Sequence, residues 1–558
     1  MIGFTTTTGR FLIVTVITMA EDEKFQEKEV EIDQKVGKDM MKVNAIDDIL
    51  PYVGEFGKYQ IMLVAMLSTM VLASTFPILI MYFAGQNPAW ECVHNSTVCN
   101  LNGTFESGDD NYQYRCSIPR KDWQFTQPKD YSIVTQFDIY CDTEYMIYLS
   151  TSLVFIGWGI GSIIFGWVAD KYGRAKVLRV SVFGIILIGF LSAFAPNYPV
   201  FAVCRLLVGA FNPGTIIGAV IVSLELVGPA YRPLVGTATA MLFAVSLVLT
   251  GIKAYFIRTW KILMIACSAP YMLVCVFFFF IPESMRWLRF QGRHKEVIDI
   301  LKKAAKVNKK TLPAELELEP LPKADVDEKK HGILDLFRPL KMFRFSAAQG
   351  FAWCSIAAVY YGVSLGVGDL SGEMYRDFIL AMLIEIPALI LSVFAMNRIG
   401  RKKSVIVSLA LAGIFCCIVG GMLSADNKQT KWKALTVTSG LLGKFWITLS
   451  FNSVYIWSME LYPTCIRAEG MGFLQITARV GSALAPWIAK WLRVFHVMLP
   501  FSLMAALSLL SSVLLLNLSE TKDRETLETV NQLFKLDSNM NKDELIVENP
   551  STLESPDA

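Results

Sequence analysis

Histidine is nearly absent. The 558 residues hold four, His94, His294, His331 and His496, scattered along the chain. Metal sites need closely spaced nitrogen and sulfur ligands, so no metal centre is expected. No glycine-rich loop closes on a lysine, which excludes the phosphate cradle of an ATP-driven pump. The apolar stretches carry no nucleophile motif, and neither an enzyme nor a cofactor is expected. Charge is sparse as well. Only 18% of residues are charged, and a net charge of +3 gives no sign of a nucleic-acid partner.

What is abundant is apolar. Hydrophobic residues make up 53% of the chain, and its mean hydropathy is +0.44. That is too apolar for a soluble globule, and the apolar residues come in long blocks. A helix of about 20 such residues spans a bilayer. Twelve blocks qualify: 60–83, 143–168, 176–195, 199–223, 234–256, 262–281, 346–367, 374–396, 404–423, 435–459, 469–491 and 497–518. The expected fold is an all-α membrane protein. Its parts are an N-terminal segment 1–59, a six-helix half 60–281, a linker 282–345, a second half 346–518 and a tail 519–558.

Cation counts orient the chain. The linker 282–345 carries fifteen lysines and arginines, and the hinges 170–179 and 398–403 carry four each. These stretches and both termini are therefore placed in the cytoplasm, in what is expected to be a plasma-membrane protein. The segment 84–142 falls outside. It holds two glycosylation sequons, at Asn95 and Asn102, and four cysteines, Cys92, Cys99, Cys116 and Cys141. An even cysteine set in an oxidising compartment points to two disulfides, with three pairings open. A third sequon, at Asn517, falls inside and should stay bare. Near the start, "FLIVTVITMA" at 11–20 is too short to span. It reads as upstream sequence, with Met19 as an alternative first residue, or as a short signal-like core.

The chain repeats itself. "DKYGRAK" at Asp170 returns as "NRIGRKK" at Asn397, 227 residues later. "ELVGPAYR" at Glu225 returns as "ELYPTCIR" at Glu460, 235 residues later, and the acids Glu283 and Glu520 follow the sixth and twelfth blocks at an offset of 237. Three motifs in one order at nearly one offset mark a duplicated six-helix unit in parallel orientation, the architecture of major facilitator carriers. Gly166 is expected where two helices approach closely, and Gly173 where the chain reverses. Asp170 is expected to accept from helix N-terminal amides, and Arg174 and Arg401 to supply forked donors. The pairs Glu225/Arg232 and Glu460/Arg467, with Glu283, are expected to form charge clusters that latch the halves together. The plainer alternative is cationic anchoring alone.

"GxxxDKxGR", "RLLVGAFNPG", "ELVGPAYR", "PESMRWL", "ELYPTCIR" and the closing "TQFDIYCD" of the 84–142 segment resemble the organic cation, organic anion and carnitine transporters of the major facilitators. The resemblance covers about 50 to 525. It implies alternating-access transport of a small organic ion.

Ionisable residues deep in membrane helices are costly and mark function. Glu385 in the eighth block and Arg479 in the eleventh both fall near the midplane, and could also pair with each other. Helical spacing puts Gly472, Gln475, Arg479 and Ser482 on one face, and Lys444, Thr448, Phe451 and Tyr455 on another. Trp353, Tyr360 and Ser364 share a third, with Tyr361 beside it. Core or lipid contact is the plainer role of each aromatic. A carboxylate among rings suits a quaternary ammonium, and an arginine suits a carboxylate. The resemblance adds that cation-selective members carry an aspartate where Arg479 stands, that anion and carnitine carriers carry arginine there, and that cation and carnitine carriers share a glutamate like Glu385. It thus implies an organic cation or a carnitine-like zwitterion, with an organic anion as the alternative. A transporter-like sensor or scaffold is the reading from another class.

Overall fold

The computed structural model describes residues 41–43, 46–312 apart from 95, 97, 100 and 110, then 316–318, 336–338, 340–425, 430–522 and 524. The stretch at 11–20, Met19 as a start, Asn95 and nearly all of the tail lie outside the described residues.

Each apolar block becomes helical, because backbone in hydrocarbon must satisfy its own polar groups. The first half holds α1 (Lys58–Leu79), α2 (Tyr145–Tyr172), α3 (Arg174–Ser192), α4 (Tyr198–Leu226), α5 (Arg232–Phe256) and α6 (Trp260–Ser268), the last continued by 3-10 turns over Ala269–Phe279. The second half holds α7 (Leu340–Gly366), α8 (Met374–Leu383, then Glu385–Ile399), α9 (Arg401–Ser424), α10 (Thr430–Leu461), α11 (Arg467–Pro486, continued by a π turn over Trp487–Trp491) and α12 (Leu499–Leu514). Ten of the twelve, among the described residues, are long and apolar enough to cross a membrane. The other two are α7 and α11. α11 carries Arg467, Glu469 and Arg479, and α7 is enclosed by neighbouring helices over its second half.

The halves are built alike. α4 packs on α2 and α3, and α3 on α6; in the second half α10 packs on α8 and α9, and α9 on α12. The halves meet along two seams, α2 with α11 and α5 with α8, which exchange when the halves are swapped. Small residues draw helices together within a half. A Cβ on Gly161 of α2 would lie 1.9 Å from the Ala210 carbonyl oxygen of α4. Gly166, expected in that role, faces open space instead, with nothing within 4 Å of a Cβ. It sits toward the linker, where the halves stand apart. The seams close on the opposite face, which carries the 84–142 segment. There Ser152 Oγ donates to the Ala483 carbonyl at 2.6 Å, and Trp487 Nε1 donates to Ser152 Oγ at 2.9 Å.

Prolines break several helices, and α4 donates side-chain hydrogen bonds on either side of one break. Pro77 interrupts the hydrogen-bond ladder of α1. Asn212 Nδ2 donates to the Ser74 carbonyl at 2.8 Å, and Arg205 donates to the Pro77 carbonyl at 2.6 Å. Arg205 thus holds helix to helix within the first half. Lys253 of α5 lies 3.8 Å over the Phe76 ring.

The 84–142 segment folds on its own small core of Trp90, Tyr112, Ile118 and Trp123. Trp90–Cys92 is the middle strand of a three-stranded sheet, antiparallel to Thr104–Phe105 and to Trp123–Phe125. This sheet was not expected from the sequence. The open question of pairing is answered by disulfides Cys92–Cys99 and Cys116–Cys141. Arg115 is buried against Glu144 and stacks on Tyr112.

On the linker face, each hinge is tied to its own half. Gly173 and Gly400 have φ of 109° and 103°, a region open to glycine at little cost. A Cβ on either would also strike a carboxylate, Glu283 or Glu520. Those two acids, and not Asp170, cap the next helix: Glu283 Oε1 accepts from the Ala175 amide, and Glu520 Oε1 from the Arg401 amide, both at 2.8 Å. Burial works to raise the pKa of Glu520, but the amides of Lys522, Arg401, Lys402 and Thr521 outweigh it and hold the carboxyl below its ordinary value. Asp170 is exposed, and its carbonyl accepts from Trp287 Nε1 at 2.8 Å.

The expected pairs Glu225/Arg232 and Glu460/Arg467 do not form. Arg174 pairs with Glu225, and Arg401 with Glu460 at 3.2 Å. Arg232 and Arg467 turn back to the carbonyls of Leu224 and Tyr462, at the ends of α4 and α10. Each guanidinium fork serves the unfilled carbonyls of a helix C-terminus. Arg232 also reaches Asp47 at 2.6 Å. Partial burial works to raise the pKa of Asp47, but Arg232 and Arg286 outweigh it and hold it low. The partners of these charges all lie in their own half or its flanking segment. In this state the clusters brace each half rather than joining the two.

Candidate functional site

The interior of the second half contains Glu385, Lys444 and Arg479. α8 breaks beside Glu385, because Pro387 has no N–H to return to the Leu383 carbonyl. The break makes Glu385 the first residue of a new helical piece, where a carboxylate is favoured by the amides. Its partner is Lys444 of α10, with Nζ 2.7 Å from Oε1 and both side chains buried. Tyr360 of α7 donates its hydroxyl to the same Oε1 at 2.8 Å. Lys444 also donates to Ser364 Oγ at 2.7 Å and lies 3.2 Å over the Tyr360 ring. The carboxylate, ammonium and ring close a compact, fully partnered cluster.

Arg479 stands differently. It is half-buried on α11, facing across the seam, and stacks its guanidinium 3.9 Å over the Trp158 ring of α2. It donates to Gln475 Oε1 at 3.1 Å, and Gln475 in turn donates to the Tyr455 hydroxyl at 2.7 Å. Tyr361 and Tyr455 are its phenolic neighbours. No carboxylate among the described residues pairs with it, and its Nε is buried without an acceptor. The pairing of Glu385 with Arg479 therefore does not occur.

The predicted rings do gather here. Trp353 lies 5.2 Å from Tyr455 and 6.4 Å from Phe451, and Tyr360 lies 5.2 Å from Phe451. Trp353 Nε1 is spent on Ser458 Oγ at 2.9 Å. Tyr361 meets Phe155 of α2 at 4.5 Å. The site is thus a neutral carboxylate–ammonium pair and a lone guanidinium, joined by an aromatic wall. Sequence reasoning missed Trp158 and Phe155. The glycines on either side of Trp158 were the available signal. A Cβ on Gly159 would lie 3.6 Å from Arg479 Cβ.

Known proteins resemble this chain in sequence and in fold. Residues 94–534 match the family model described as "Sugar (and other) transporter". The chain is 32% identical over 520 residues to an "Organic cation transporter protein" of Drosophila melanogaster, covering 87% of this chain and 93% of that protein. The chain belongs to the organic cation, anion and carnitine transporter family of the major facilitators. A human relative of this family, "Organic cation/carnitine transporter 2", is 31% identical, covering 74% of each chain. The fold also matches the inward-open xylose transporter XylE of E. coli, with a TM-score of 0.58, 14% identity, and coverage of 85% of this chain and 99% of that one. The transporter is a membrane carrier and not an enzyme. Its apolar helices make it an integral membrane protein.

Proposed function

We propose that this transporter carries a zwitterion bearing a quaternary ammonium and a carboxylate, a carnitine-like compound. The observation that carries the reading is Arg479, a mid-helix cation on an indole face with no carboxylate partner among the described residues. A substrate carboxylate completes it, and the ring wall of Trp353, Phe451, Tyr360 and Tyr455 takes the ammonium. Two relatives' names, for organic cations and for carnitine, support that choice. A second reading, a plain organic anion, is favoured by the neutral Glu385–Lys444 pair, which leaves Arg479 as the site's net charge. An uptake panel of carnitine, tetraethylammonium and an aromatic carboxylate, each with and without sodium, tests this. Carnitine is expected to lead; uptake of tetraethylammonium alone would overturn both readings.

We further propose that the linker face is cytoplasmic and the 84–142 face extracellular, in the plasma membrane. The two disulfides and the cation-rich linker support this. Asn102 and Asn517 are exposed on opposite faces of the bundle. Glycosidase is expected to shift wild type but not the Asn95→Gln/Asn102→Gln variant. A glycan mapped to Asn517 would invert the orientation.

A further inference from the structure

At the α5–α8 seam the closed face carries an aromatic cluster centred on the outer end of α8. Tyr375 stacks on Phe83, with ring centres 5.3 Å apart and planes 11° apart. The Arg258 guanidinium lies 4.1 Å over the other part of this nest, on the Tyr375 ring. One turn on, Phe378 is fully buried and stacks on Tyr82 at 5.0 Å. Tyr375 and Phe378 belong to the second half; the residues they touch belong to the first.

A hydrogen-bond chain joins the disulfide-bonded segment to this cluster. Tyr131 donates its hydroxyl to Gln86 Oε1 at 2.8 Å, and Gln86 Nε2 donates to the Tyr375 hydroxyl at 3.0 Å. The two bonds use opposite ends of one amide, so the first fixes the orientation that the second needs. Tyr131 is itself anchored. The Trp260 amide, at the start of α6, donates to the carbonyls of Asp130 and Tyr131 at 3.2 and 3.3 Å. The segment is therefore fixed to the first half, and Gln86 carries its hydrogen bond to the second.

We infer that the 84–142 segment is a working part of the gate on its face: Tyr131 locks the Gln86 amide so that it clasps Tyr375, and release of that clasp opens the pathway on that side. Tyr131 is a positioning residue; Gln86 and Tyr375 are the clasp. The inference stands whichever ion is carried, and it takes the 84–142 face as external.

A cysteine placed at Phe155, fully buried against Tyr361 beside Arg479, reports opening to a membrane-impermeant thiol reagent added outside. In that background, Tyr375→Phe and Tyr131→Phe each remove one hydroxyl and no packing. Each is expected to speed labelling about 2–10-fold, the weight of one hydrogen bond. The double variant should label no faster than Tyr375→Phe alone, because Tyr131 acts only through that bond. Surface amount is measured in parallel, and the parent lacking Phe155→Cys corrects for native thiols. Gln86→Met, which breaks both bonds, serves if Tyr131→Phe fails to reach the surface. Unchanged labelling in Tyr131→Phe with faster labelling in Tyr375→Phe would make the segment a bystander and overturn the inference. Unchanged labelling in both, or additive effects in the double variant, would overturn it equally.

Discussion

Arg479→Ala is expected to weaken carboxylate-bearing substrates about 30–150-fold while a simple quaternary cation is little affected. The guanidinium is half-buried, stacked on Trp158, and without a carboxylate among the described residues. A charge-assisted contact in a site shielded from water is worth about 2–3 kcal/mol, and about 1.4 kcal/mol is a factor of ten. Arg479→Lys keeps the charge but loses the planar fork, so it should recover part of the affinity. Protein yield should hold in all variants, because removing the guanidinium strands no carboxylate among the described residues. Competition curves in transfected cells, normalised to surface protein, give the measurement. Equal loss for carboxylates and for tetraethylammonium would remove Arg479 from recognition.

The second large effect is on stability. Glu385 and Lys444 are both buried and 2.7 Å apart. Breaking a buried pair by removing one member leaves an uncompensated charge and costs roughly 3–5 kcal/mol. Glu385→Gln alone and Lys444→Met alone should each lower the melting temperature of purified protein sharply. Replacing both removes the stranded charge, so the double variant should recover most of the loss. A double variant no more stable than the worse single one would show that the pair is not what holds α8 to α10.

The duplicated halves could be read from the sequence because hinges at a water boundary use few residue types. Glycine, arginine and glutamate recur there in order, and the order survives in both copies. Which acid meets which arginine could not be read, because those distances are set by helix packing. Arg174, at the start of α3, finds Glu225 near the end of α4, while Arg232, eight residues past Leu224, turns back to that residue's carbonyl. The same limit applies to the site. Helical spacing placed Lys444 in line with Phe451 and Tyr455, but only the α8 break beside Pro387 brings Glu385 to it. Cysteine pairing was closed to sequence reasoning for a related reason. The sheet built on Trp90–Cys92 decides which sulfurs meet.

All three charges named above, Glu385, Lys444 and Arg479, sit in the second half, and the first half offers Trp158 and Phe155. At the 227-residue spacing of the two hinge motifs, the counterpart of Glu385 is Trp158 itself. One ancestral address has thus been filled twice, with a carboxylate in one copy and an indole in the other. On the function proposed above, the two copies divide their labour: the second grips the cargo, and the first presents the aromatic face on which Arg479 stacks. A carrier built this way keeps its cargo with the same partners on both sides of the membrane. Its cycle can then be driven by a change of shape, without handing an ion from one set of charges to another.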